Sequence, residues 1–332
     1  MPARASAPHF LRTRRGRSFV YQALALCALV AAGWFLWHNT AENLAARQIR
    51  SGFGFLAQPS GFDIGETPIA YSSRDTYLRA FAVGVTNTLR VALAGIVLAT
   101  VLGTLIGMGR LSRNVLARGL CTAYVELMRN IPLIIQLFAW YLVITELLPA
   151  ATEPMRIGSH VFLSKSGLQF PFPEWSAGWS IAVPEIGAFD ITGGAAATPE
   201  FLSLLIGLST FTAAYIAEIV RSGVLAVPRG QTEAAAALGL SRALTLRLVL
   251  LPQALRVIVP PMTSQYLNLT KNSSLAVAIG YPDVVSIANT TINQNGQALE
   301  CVLMIMTVYL AINLATALAM GWYNRRVAIV ER

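Results

Sequence analysis

At 332 residues the chain is 55% hydrophobic and only 12% charged, with a mean hydropathy of +0.57. Soluble domains carry about twice that charged fraction, so the composition excludes an ordinary soluble enzyme and reads as a membrane protein. The net charge of +9 leaves nucleic acid open only until the arginines are placed, and Cys27, Cys121 and Cys301 show neither a zinc spacing nor a disulfide pattern.

In chain order, residues 1–18 form a basic tail with Arg4, Arg12, Arg14, Arg15 and Arg17, too poor in apolar residues to fold alone. Residues 19–38 approach the ~20 apolar positions that a spanning helix needs. Basic residues ahead of an apolar run also describe a signal peptide, and Thr13-Arg14-Arg15 has the outline of a twin-arginine signal. The length of the run, its closing Trp34, Phe35 and Trp37, and the spans behind it favour a retained anchor. Residues 39–80, polar and punctuated by Gly and Pro, read as an extramembrane loop.

A second span covers 85–108, where Ala99, Gly103 and Gly107 form a ladder that lets helices approach closely. The third, 120–148, is broken by Pro132 and carries Glu126 and Arg129 three apart, on one helix face. Glu218 and Arg221 repeat that spacing at the end of the fourth span, 201–219. A single charge at the centre of a span costs on the order of 2.5–3.5 kcal/mol. Pairing is the favourable arrangement, whether the pairs are structural or line a pathway. Between these spans, residues 149–199 are rich in Pro, Gly, Ser and aromatics, with no apolar run long enough to cross. They read as an external loop with short strands.

Residues 221–252 are polar, arginine-bearing and helix-prone. Glu233 leads into four alanines, the strongest helix formers, and is expected in a first turn, where a carboxylate suits the helix dipole. Gly239 supplies a left-handed terminus. Ser241 caps a second helix that runs to Leu251 before Pro252 interrupts it. The fifth span, 257–280, has Pro260-Pro261 breaking its start, and Ser264, Asn268, Lys271 and Asn272 fall along one side. That side must face protein or a watery cavity rather than lipid; helix–helix hydrogen bonding with a snorkelling lysine is the alternative. The sixth span, 300–323, is followed by Arg325 and Arg326.

Six spans place both termini on one side. Of the 25 Lys and Arg residues, 16 then fall on the interior side and 6 outside, leaving Arg90, Arg129 and Lys271 in spans. The positive-inside rule therefore puts both termini and residues 221–252 in the cytoplasm. It also accounts for the basic balance without nucleic acid.

Glu233-Ala234-Ala235, Gly239 and Val249-x-Leu251-Pro252 match the EAA…G…I-x-LP loop of ABC-importer permeases, with valine for isoleucine as the one departure. TAAYIAEIVRSGV, LTKNSSL and YVELMRNIPLIIQLF, in 212–224, 269–275 and 124–138, resemble the polar amino-acid (His/Glu/Gln/Arg/opine) branch of that family. The resemblance covers residues 81–326. The extra N-terminal span and long loop are most similar to the permeases of general L-amino-acid or glutamate/glutamine/aspartate/asparagine systems. It implies an all-α type I importer permease fold of about six transmembrane helices in a bacterial inner membrane, with loop 149–199 periplasmic.

The resemblance also implies that Thr232, Glu233, Ala234, Ala235, Gly239, Leu240, Ser241, Leu251 and Pro252 couple to a dimer of separate ATPase subunits. Those subunits would hold ATP and Mg; this chain is expected to bind no cofactor and no metal and to be no enzyme itself. It has no G-x-x-x-x-G-K-[ST], H-E-x-x-H or G-x-S-x-G motif. Its partners would be a second, homologous permease, a periplasmic amino-acid-binding protein and membrane lipid. An amino-acid zwitterion needs acceptors for its ammonium and donors for its carboxylate, and Tyr215, Glu218, Asn268, Lys271, Asn272 and Ser274 offer both. Two rival readings stand beside this one. An ion-coupled secondary transporter would relay charge through Glu126, Glu218 and Lys271, and a membrane-anchored sensor or scaffold would bind ligand without flux.

Overall fold

A computed structural model describes residues 14–46, 51–174, 180–187 and 190–327. Arg4, Arg12, Arg47, Arg50 and Arg332 of the charge count lie outside the described residues. Among the described residues, five helical stretches are long and apolar enough to cross a membrane, and six if a bent pair counts as one.

Helix α1 (Arg14–Ala46) outlasts the expected anchor 19–38. Beyond Trp37 the Thr40 hydroxyl and the Asn43 amide donate to carbonyls one turn back, so a polar segment read as loop continues the helix. Residues 53–57 form a short 3₁₀ turn. Helix α2 (Tyr77–Arg110) is capped by Thr76 and begins before the expected 85. Its first turns carry Tyr77, Ala80 and Phe81 into a cluster with Phe55, Ile287, Ala288 and Cys301.

The third expected span is two helices, α3 (Val115–Asn130) and α4 (Leu133–Leu142), bent by 105°. Ile131 ahead of Pro132 is extended (φ −98°, ψ 128°), the conformation that proline imposes on the residue before it. Gln136 Nε2 donates to the carbonyls of Met128 (2.8 Å) and Ile131 (2.9 Å) and so satisfies the frayed end of α3. A π turn over Val143–Leu147 extends α4.

The stretch 149–199 does form strands. These are β1 (Met155–Arg156), β2 (Phe162–Ser164), β3 (Gly167–Phe170), β4 (Phe172–Glu174), β5 (Ser180–Ala182), β6 (Glu185–Ile186), β7 (Ile191–Thr192) and β8 (Ala195–Ala197). An antiparallel sheet has the order β1-β2-β3-β8, and β4-β5 and β6-β7 are separate hairpins. Leu163, Leu168 and Phe170 pack against the bundle core, so this sheet is seated on the helices.

Helix α5 (Pro199–Leu225) follows β8 directly, capped by Thr198 with Pro199 in its first turn. It is the central helix of the bundle, and its closest neighbour is α2. A Cβ on Gly103 would lie 2.6 Å from Ile216 Cβ and 2.8 Å from the Ala213 carbonyl, and one on Gly107 2.8 Å from the Ala217 carbonyl. The Ala99–Gly103–Gly107 ladder is therefore what lets the two backbones approach.

Past α5 come α6 (Arg229–Ala237), α7 (Arg242–Thr245), a π turn over Leu246–Leu250, and α8 (Leu251–Asn272). Two proline expectations fail here. Pro252 does not stop the helix, because the π turn precedes it. Leu251 N donates to the Leu246 carbonyl, a five-residue step, and the ladder is already widened where Pro252 has no N–H to give. Pro260 and Pro261 lie inside α8, where the burial of Ile258, Val259 and Met262 offsets the lost hydrogen bonds. A 3₁₀ segment over Ser273–Ile279 completes the span. Helix α9 (Val284–Asn295) was not expected, and α10 (Ala298–Val327) is the last span.

Candidate functional site

Each end of the bundle carries one distinctive feature. Helix α5 leaves the sheet at Thr198 and delivers the chain to α6. At 1.5 Å per residue its 27 residues span about 40 Å, so the sheet and α6 cap opposite ends.

Helix α6 starts at Arg229 with Pro228 at its N-cap, so Glu233 lies in the second turn rather than the first. Pro228 is extended (φ −60°, ψ 139°) and the helix begins at the residue after it, ahead of the alanine run. The other terminus is as expected. Gly239 has φ +74°, Leu240 N donates to the Ala235 carbonyl (3.1 Å), and Gly239 N donates to that of Ala236 (2.9 Å). This is the paired closure of a Schellman turn. Ser241 caps α7 through Leu244 N at 3.4 Å.

Only Ala235 of this helix is buried. Thr232, Glu233, Ala234, Ala236 and Ala237 are exposed, and Leu238 is 81% exposed. Leu240 is half-buried, Leu251 exposed and Pro252 half-buried. The result is a short, narrow helix held by its ends, with alanine and one leucine presented outward. Gln253 Nε2, one residue past Pro252, meets Gln231 Oε1 (3.3 Å) and the Val249 carbonyl (3.0 Å), tying α6 to the start of α8.

Above α6, Glu218 is the centre of an ion cluster. Its Oε1 accepts from Arg221 Nη2 at 2.6 Å, and its Oε2 pairs with Arg110 of α2. The Glu218–Arg221 pairing expected from spacing is present. Arg110 is the member that the sequence reading missed, since only the fold brings residue 110 to 218. The Glu126–Arg129 pair is not formed. Arg129, in the last turn of α3, instead places its guanidinium over the ring of Tyr215 at 5.2 Å, and Tyr215 packs on Phe211. The aromatic face reached by turning toward α5 competes with an exposed carboxylate in water.

On α8, Ser264, Asn268 and Lys271 are exposed and Asn272 is half-buried, a continuous polar face on a spanning helix. Ser274 donates back to the Lys271 carbonyl (2.7 Å). Lys271, Ser274, Val285, Ile305 and Tyr309 line a cavity of about 300 Å³. Glu218 is not part of that face. Gly223 packs on Ile258, so Glu218 stands level with the Thr263 turn, roughly 12 Å from Lys271 along the axis. The candidate pathway residues thus form two levels, Tyr215 and Glu218 toward α6, and Asn268 to Ser274 toward the sheet.

At the sheet end, Asp283 caps α9 through Ser286 N (2.8 Å) and accepts from the Tyr309 hydroxyl (3.2 Å). Burial pushes its carboxyl up to about 6 despite these hydrogen bonds. Burial likewise raises the phenol of Tyr71, partly offset by its hydrogen bond with Ser60.

The sequence family described as binding-protein-dependent transport system inner membrane component matches residues 95–329. The general L-amino acid transport system permease protein AapQ of Rhizobium johnstonii is 44% identical, over 95% of this chain and 93% of its own length. The glutamate/glutamine/aspartate/asparagine transport system permease protein BztB of Rhodobacter capsulatus is 36% identical, over 96% and 95%. In fold, the chain resembles a crystal structure of an amino acid ABC transporter with histidines, at a TM-score of 0.54 and 24% identity over 75% of this chain and 95% of that one. It also resembles an inward-facing MetNI methionine ABC transporter, at a TM-score of 0.53 and 20% identity over 76% and 98%. With the family match running through the α6 turn, the polar face of α8 and the Glu218 cluster, this chain belongs to the binding-protein-dependent transport system inner membrane components, the permeases of ABC importers.

Proposed function

We propose that the chain is the permease subunit of an ATP-driven importer of polar or general L-amino acids. In this reading it pairs with a second, homologous permease, receives cargo from a periplasmic binding protein, and is driven by two cytoplasmic ATPase subunits that carry ATP and Mg. The observation that carries the reading is α6. A short helix closed at its C-terminal end by the Gly239 turn, with Ala234, Ala236, Ala237 and Leu238 directed outward, is shaped to enter a groove on another protein. Thr232, Glu233, Gly239, Leu240 and Ser241 shape and flank it, and Leu251 and Pro252 join it to α8. A displaced peg moves what it is tied to, because packed elements shift as units rather than deform. Here that is α8, with its polar face.

The arginine distribution supports α6 and both termini on the cytoplasmic side and residues 149–199 in the periplasm. The polar faces at Tyr215 and Glu218, and at Asn268, Lys271, Asn272 and Ser274, then line the path of a zwitterion. Similarity to AapQ and BztB supports the cargo class. The test is uptake of radiolabelled L-glutamate, with a competing panel of L-amino acids, into cells expressing the complete system. Uptake should fail when ATP is depleted and persist when the proton gradient alone is collapsed with ATP maintained. The opposite pattern would mark an ion-coupled carrier.

A further inference from the structure

The extramembrane residues 51–76 are not a passive link. Phe55 and Tyr77 bury into one hydrophobic cluster with α9 and α10, while Ala197 and Phe201, at the sheet–α5 junction, belong to another. One polar side chain of this segment reaches the sheet–α5 junction. Glu66 is only 8% exposed; its Oε1 accepts from Arg90 of α2 (2.7 Å), and its Oε2 accepts from the Thr198 hydroxyl (2.7 Å). The Thr198 oxygen in turn accepts from Phe201 N (3.1 Å), so its one proton is committed to the carboxylate. Asn87 Nδ2 donates to the carbonyls of Glu66 and Pro282 (both 2.9 Å), and Arg90 lies over the Phe201 ring at 5.1 Å.

The Glu66 side chain is 9% exposed and that of Arg90 37%; an ion pair with one buried partner is a weak source of stability, since desolvation offsets much of its attraction, and its best-attested use is to fix one arrangement. What Glu66 fixes is the end of β8 against α2 and the first turn of α5. We propose that Glu66 and Arg90 are positioning residues that hold the extramembrane sheet to the bundle, so that docking of a periplasmic binding protein on the sheet end is transmitted into α2 and α5. This rests on the importer reading given above.

The experiment uses the complete transporter in proteoliposomes, with its binding protein loaded with L-glutamate, and measures ATPase rate against binding-protein concentration. For Glu66→Gln and Arg90→Gln the expected result is an unchanged basal rate and a half-saturating binding-protein concentration within twofold of wild type. The maximal stimulation should fall at least fivefold. Arg90→Lys, which keeps the charge, should restore at least half of it. Full stimulation in both glutamine variants would overturn the proposal, as would a proportional loss of basal and stimulated rates. Failure of both variants to assemble would also overturn it, placing the pair in folding alone. If the wild-type complex is not stimulated at all, the importer reading fails instead.

Discussion

Arg110 and Glu218 meet across the α2–α5 contact, 108 positions apart in sequence, at the end of the bundle that carries α6. The pair closes the helix contact that Gly103 and Gly107 open, and Arg221 completes the cluster from one turn further along α5. Arg110 is 11% exposed at its side chain and Glu218 30%, between the surface and buried limits for ion pairs. Glu218→Ala should destabilise the purified protein by on the order of 2 kcal/mol. In a double-mutant cycle, thermal denaturation in detergent should show Arg110→Ala adding little once Glu218 is gone. Additive losses would mean that the two act separately.

The α2–α5 contact makes its own prediction. Gly103→Ala puts a methyl against Ile216 and the Ala213 carbonyl, and backbone cannot yield as a flexible side chain does. Overpacking of this kind costs about 1–3 kcal/mol. Gly119→Ala on α3, where a Cβ meets nothing within 4 Å, is the matched control and should be neutral or slightly stabilising. Melting temperatures of the two variants decide it.

Asp283 gives a pH signature. Its carboxyl is raised to about 6 in the folded state from an ordinary 3.8, so between those values the folded protein holds a proton that the unfolded chain has released. Stability on this account falls as pH rises from about 4 to 6, and the penalty is fully present at pH 7. The carboxamide of Asp283→Asn can still cap α9 and carries no charge. The variant should therefore be more stable than wild type at pH 7.5, with the advantage shrinking toward pH 4. An advantage that grew on acidification would refute the assignment.

Much of this architecture is legible in the sequence, and the misses share a cause. Five long apolar helices, the Schellman turn at Gly239 and the cap at Ser241 follow from local rules, and each is present, whereas the third expected span is a helix pair bent by 105°. Helix α9 was legible too: Val284, Ile287, Ala288 and Thr291 recur at helical spacing between Asp283 and Gly296, a stretch to which the sequence reading assigned no element. Proline positions were misjudged because tertiary packing and a π turn, neither visible locally, carry the helix through Pro252, Pro260 and Pro261. Arg110 with Glu218, and Glu66 with Arg90 and Thr198, are pairings that only the fold creates.

The glycine at the end of α6 separates backbone from partner effects. A Cβ at Gly239 meets nothing within 4 Å of this chain, so the requirement there is its φ of +74° alone. Gly239→Asn, tolerant of the left-handed region, should keep near-normal uptake. Gly239→Ala should cost about 1–2 kcal/mol at the helix end, and Gly239→Asp should lower uptake well beyond any loss of membrane abundance, because its charge sits where the partner would close. Uptake and abundance measured together distinguish these outcomes.

The most direct test is a photo-crosslinker placed at Leu238, 81% exposed at the end of α6. Irradiation of inside-out vesicles containing the assembled system should give one covalent adduct with the mass of this chain plus an ATPase subunit, lost when the ATPase is omitted. An adduct formed only with a periplasmic protein, or none in a complex that transports normally, would contradict the claim that ATP-driven motion enters the chain through α6.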